Sequence, residues 1–178
     1  MQRNPVVRNR RHHETDLLYG ALCIAAVSSS WAYSQDSEIH PKQSYGYALF
    51  TPGATLGDGA AATVALGAGA EGLIKGGFGA SADVSYLFYP AGGFNEGFGL
   101  FSPGVIYQFN PGRKTIPFVT GGYSLAFRDG AINLIHYGGG FNHWFNDRWG
   151  MRFEVRNHTQ TTSAEYHLLQ FRVAFLFR

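Results

Sequence analysis

This 178-residue sequence predicts an all-β fold, an eight-stranded antiparallel up-and-down transmembrane β-barrel. Three observations lead there. The chain ends in HLLQFRVAFLFR (167–178), a two-residue alternation. Leu169, Phe171, Val173, Phe175 and Phe177 share one face of it, and Gln170, Arg172 and Ala174 share the other. Seven more alternating segments precede it, each bounded by turn chemistry. Their apolar faces are rich in aromatics, from a pool of 15 Phe and 10 Tyr, whereas the opposite faces carry Gly, Ala, Ser and a few charges.

The chain opens differently. Arg3, Arg8, Arg10 and Arg11 precede the apolar run LLYGALCIAAV (17–27), and a small, polar stretch SSSWAYS follows. That order predicts a secretory signal peptide over 1–34, cleaved after Ala32 or Ser34. Residues 35–42 (QDSEIHPK) read as a short periplasmic lead-in, and 43–178 as the barrel. The chain has 14 Lys/Arg and 12 Asp/Glu. Four of those cations and two of those acids (Glu14, Asp16) precede Gln35, which leaves ten of each. The basic excess thus belongs to the presequence and does not point to nucleic acid. Cys23 sits in the apolar core of the signal, so the mature chain has no thiol for a disulfide or a metal. No run approaches the ~18 apolar residues of a spanning helix.

The eight segments fall at about 43–50, 62–74, 78–89, 98–109, 116–128, 133–145, 149–159 and 167–178. Most are near the ~9–11 residues with which a tilted strand crosses a bilayer. Lys75-Gly76-Gly77, Asn110-Pro111-Gly112 and Asn146-Asp147-Arg148 are tight-turn sequences. The alternate connections, 51–61, 90–97, 129–132 and 160–166, are richer in Gly, Thr, Ser and Asp. An even strand count puts both ends of the barrel on one side, expected to be the periplasm.

Alternation alone also fits a soluble barrel with its apolar face inside. Eight strands enclose room only for packed side chains or one small ligand. The apolar set includes Val84, Tyr86, Phe88, Tyr107, Phe109, Tyr123, Phe127, Tyr137, Phe141, Phe153 and Phe175, which would overpack that interior. The small, polar face fits it. Aromatics also gather near segment ends (Tyr45, Tyr86, Phe88, Tyr89, Phe109, Phe145, Trp149), as membrane girdles require. The apolar face therefore points to lipid.

The stretch from about 116 to 178 resembles the porin-family, OmpA-like eight-stranded outer-membrane barrels. PFVTGGYSLAF (117–127), YGGGFNHWFNDRWGMRFEVRNH (137–158) and FRVAFLFR (171–178) carry the likeness. They supply a Gly-rich strand, an aromatic-Asn-Asp-Arg turn and a G-x-R-x-E-x-R strand. Residues 43–109 match more loosely, and Arg178 departs from relatives that end on the aromatic itself. The resemblance implies insertion in the outer membrane of a diderm bacterium, among its lipid and lipopolysaccharide. It also implies that the barrel-assembly machinery reads the terminal strand through Phe171, Val173, Phe175 and Phe177. It implies no single activity, since related barrels are anchors, adhesins, small pores or enzymes.

Glu71, Asp83, Arg152, Glu154, Arg156 and Arg172 all fall on the lumen face. Buried charges need partners, so these six are expected to form an ion-pair network plugging the lumen. The role expected is structural or surface-presenting, with a narrow pore or small-ligand barrel as the alternative. Other motifs carry less. Gly67-Ala-Gly69-Ala-Glu-Gly72 matches a dinucleotide fingerprint in letters but opens no helix. His136 and His143, seven apart on one strand, face opposite ways and cannot share a metal. His158, Ser163 and Glu165 offer acyl-transfer residue types, the basis of a further alternative, a lipid A-modifying acyl hydrolase. The lipid A deacylases, however, place Ser two residues after the His, where this chain has Gln160. No cofactor, metal or enzymatic activity is expected.

Overall fold

The computed structural model describes residues 44–57, 59–128, 130–161 and 167–178, within the unit His40–Arg178. The chain runs through β1 (Ser44–Leu56), β2 (Ala61–Lys75), β3 (Phe78–Tyr89), β4 (Gly93–Gln108), β5 (Thr115–Phe127), β6 (Ala131–Trp144), β7 (Trp149–Gln160) and β8 (His167–Phe177). Each strand pairs antiparallel with the next, and β8 closes on β1. A closed sheet leaves no edge, which is what a bilayer demands of strands, because lipid cannot satisfy a free N–H or C=O. The strands run from 11 to 16 residues, long enough to cross. The expected signal peptide 1–34 and lead-in 35–42 lie outside the described residues.

All eight expected strands are present, and two are longer by four residues or more than the alternation predicts. β1 continues past Phe50 to Leu56 through Pro52-Gly53, a pair that reads as a turn. Pairing of β1 with β8 skips Thr51 and Pro52, the point at which proline has no N–H to donate. Pairing with β2 runs through unbroken, Pro52 opposite Val64. Pro103 does the same in β4, where pairing with β5 skips Ser102 and Pro103. β4 begins at Gly93, five residues before 98, after a register shift against β3 between Leu87 and Tyr89. Phe94 stacks there on Phe88 at 4.2 Å, and Tyr86 Oη donates to the Phe94 carbonyl at 2.6 Å. A glycine-rich, Asn-containing stretch reads as loop because its ordering comes from aromatic contacts with the preceding strand, β3.

The tight connections lie together at one end. Gly76 (φ 61°) and Gly77 (φ 89°) both take left-handed conformations between β2 and β3, where other residues would be strained. Asn146 Oδ1 accepts the Arg148 and Trp149 amides, each at 2.9 Å, between β6 and β7.

Burial is inverted relative to a soluble protein. Outward-facing Val105 is 65 % exposed, and Phe78, Tyr123, Ile135, Phe141, Trp149, Phe171, Phe175 and Phe177 are exposed with it. Inward-facing Arg152 is 2 % exposed. An apolar surface this extensive, all round a closed sheet, is a lipid-contacting surface. Tyr45 departs from the expected girdle: it faces the lumen, packed edge-on to Trp144 at 5.2 Å. Interior packing is apolar at both ends. Tyr45, Tyr47, Leu49, Ile116, Trp144, Ala174 and Leu176 cluster near the turn end. Two smaller clusters, around Leu87 and Leu168 and around Leu100 and Leu134, sit near the loop end with Phe98 against both.

Candidate functional site

The six charged residues singled out from the alternation all project into the lumen between those apolar ends. The strands place them by parity, and register then brings them together. Glu154 on β7 lies directly opposite Arg172 on β8, and Arg156 is two residues further along β7 on the same face.

Nearest the turn end, Arg152 pairs with Glu71 across the barrel, Nη2 to Oε2 at 2.5 Å. Its Nε donates to Asn142 Oδ1 at 2.8 Å, and its guanidinium lies 4.4 Å from the centroid of the Phe118 ring. Tyr45 is the hub of this group. Its hydroxyl donates to Glu71 Oε1 and accepts from Gln108 Nε2 (2.8 Å), Asn142 Nδ2 (2.9 Å) and Arg152 Nη2 (3.0 Å). Gln108 Nε2 also reaches Glu71 Oε1 at 2.6 Å. Five strands thus contribute one side chain each to a charge-assisted cluster.

The next group is a four-membered ring of charge. Asp83 Oδ2 accepts from Arg156 Nη1 at 3.1 Å and Arg172 Nη2 at 3.0 Å. Glu154 Oε1 accepts from Arg156 Nε at 2.6 Å and lies 3.6 Å from Arg172 Nη1. Tyr47 Oη donates to Asp83 Oδ2 at 3.4 Å, tying the ring to β1. Each guanidinium meets both carboxylates, so the formal charges of the ring cancel.

Beyond it lies an uncharged layer. Ser124 Oγ donates to Ser102 Oγ at 2.8 Å and bonds His136 Nδ1 at 2.9 Å; His158 Nε2 bonds Gln170 Oε1 at 3.1 Å. The His136 and His158 rings are 5.6 Å apart, on residues directly opposite in the β6–β7 ladder. Gly104 and Gly122 make the room for His136. A Cβ on Gly104 would sit 2.9 Å from both His136 Nε2 and the Gly121 carbonyl oxygen. Gly104→Ala is accordingly expected to cost about 1–3 kcal/mol, read as a lower urea midpoint for the refolded barrel.

The interior therefore holds partners that composition does not single out: Tyr45, Tyr47, the Ser102–Ser124 pair and the two histidines. The His136–His158 pair is accessible in principle, since both lie eleven residues from Asp147 at the centre of the turn. His143 faces outward and bonds Thr115 Oγ1 at 2.8 Å. His158 points into the barrel, away from any lipid, while Ser163 and Glu165 lie outside the described residues. Gly67 and Gly69 are strand residues of β2, with no helix beside them. Among the described residues no group of three or more His, Cys, Asp or Glu is placed to hold a metal ion.

No family model and no curated protein matches the sequence. Solved structures do. The chain is similar to Neisserial surface protein A (TM-score 0.56, 13 % identity, covering 75 % of this chain and 96 % of that one). It is similar to the N-terminal β-barrel domain of Pseudomonas aeruginosa OprF (0.52, 13 %, 76 % and 100 %). Ail, the attachment invasion locus protein of Yersinia pestis, is a third (0.57, 10 %, 76 % and 97 %). At these identities the likeness is one of fold. The fold, a closed eight-stranded antiparallel barrel, is what this chain shares with them. A closed barrel of even strand number with an apolar outer band is built to span a membrane.

Proposed function

We propose that this protein is an integral outer-membrane barrel with a plugged polar lumen and a structural, surface-presenting role. The observation that carries this reading is the charged interior. Glu71, Asp83, Arg152, Glu154, Arg156 and Arg172 are each at most 4 % exposed and are joined by five ion pairs. Apolar clusters lie beyond them at both ends. An ion crossing this interior would have to separate buried ion pairs. Short connections at the loop end then become the working surface. The names of two structural neighbours, a surface protein and an attachment invasion locus protein, fit that role.

In this reading the outward aromatic face contacts outer-membrane lipid and lipopolysaccharide. The barrel-assembly machinery engages the terminal strand through its lipid-facing Phe171, Val173, Phe175 and Phe177. Enzymatic acyl transfer to lipid is not part of it, because the His158 ring is enclosed by the barrel wall and a lipid ester lies outside. Single-channel recording of the refolded protein in planar bilayers tests the plug. No unitary steps are expected. Reproducible steps from the unmodified protein would overturn the plug and favour a narrow pore.

A further inference from the structure

The turn end of the barrel carries a feature beyond the charged plug. A cavity of about 400 Å³ opens there, within the size range of small-molecule sites. Three connections and the end of the chain surround it. They contribute the side chains of Lys75, Arg113, Lys114 and Arg178 against one acidic side chain, Asp147. Its inner wall is Trp144, which is 7 % exposed and whose indole N–H is buried without an acceptor. The Arg178 guanidinium carbon lies 3.8 Å from the centroid of a Trp144 ring, and the Arg178 amide donates to the Arg148 carbonyl at 3.0 Å. A guanidinium held by its face keeps its N–H edge for oxygens.

We propose that this cavity is a binding site for a small, soluble, multiply charged oxyanion bearing phosphate or carboxylate groups. The charged groups that define it are donors, two guanidiniums and two ammoniums. A ligand complementary to them accepts hydrogen bonds and carries negative charge. Lipid is not the source, because Trp144 and Ile116 belong to the lumen face, so the cavity lies inside the ring of strands and opens along the barrel axis. With the tight turns facing the periplasm, the ligand is a periplasmic solute.

The test is isothermal titration of the full chain, folded in phosphatidylcholine nanodiscs, with inorganic pyrophosphate and separately with citrate. Saturable one-to-one binding of at least one probe is expected. The Arg113→Ala/Lys114→Ala variant, altered only in an exposed turn, is expected to bind at least about tenfold more weakly. Unboiled gel mobility verifies that the variant is folded. Absence of saturable binding by either probe overturns the site. Unchanged affinity in the turn variant also overturns it, since the anions would then be diffuse counterions. Loss of probe binding when phosphatidylglycerol is added to the discs would assign the cavity to lipid headgroups and overturn the soluble ligand.

Discussion

Glu154→Ala is expected to destabilise the folded barrel by about 3–5 kcal/mol, the usual consequence of stranding buried charge. Glu154 accepts from Arg156 at 2.6 Å and faces Arg172 at 3.6 Å. Without it, Asp83 remains as the one carboxylate bonded to two guanidiniums, neither of them more than 4 % exposed. The remaining positive charge has no carboxylate left in the ring to neutralise it, and a buried unpaired charge is costly. Glu154→Gln keeps an acceptor for Arg156 while removing the charge, so its loss should be intermediate. The measurement is the urea midpoint of the refolded barrel, followed by tryptophan fluorescence and by the fraction that migrates as folded without boiling. A Glu154→Ala midpoint equal to that of the unmodified protein would show that the ring of charge contributes nothing to stability.

How far the sequence leads is set by what alternation encodes. Parity along a strand separates lumen from lipid, so it places Arg152, Glu154 and Arg156 inside, and Phe153 and Val155 outside, with no knowledge of pairing. Parity has no access to height or to the far wall. That Arg152 on β7 reaches Glu71 on β2 depends on the stagger of the closed sheet, which no local pattern carries. Tyr45 marks a second limit. An aromatic near a strand end fits a membrane girdle by position, yet this one is drawn inward by four hydrogen-bonding partners from other strands. The ends of β1 and β4 escape the local pattern for a third reason. Pro52 and the glycines before Phe98 are turn residues by composition, and pairing with one neighbouring strand, β2 for Pro52 and β3 for Gly93, overrides that preference.

Arg152→Met alone and Glu71→Gln/Arg152→Met together should differ sharply, and the difference separates two accounts of the cross-barrel pair. The single change removes the cation that meets Glu71 at 2.5 Å and leaves a carboxylate that is 1 % exposed. The Tyr45 hydroxyl and Gln108 amide still donate to it, but neither neutralises it. The expected cost is about 3–5 kcal/mol. The double change removes both charges at nearly constant volume. The introduced glutamine can accept from Tyr45, and the introduced methionine can occupy the space against Phe118. Because separating two ions from water offsets much of their mutual attraction, the double variant should regain most of the loss, to within about 1–2 kcal/mol of the unmodified barrel. That recovery would mean the pair selects one arrangement of the lumen rather than supplying net stability. A double variant as unstable as the single one would place the contribution elsewhere, in the 2.8 Å bond from Arg152 Nε to Asn142 and the stacking on Phe118. Arg152 would then act chiefly as a shaped donor that ties β7 to β6 and β5, and its charge would be incidental.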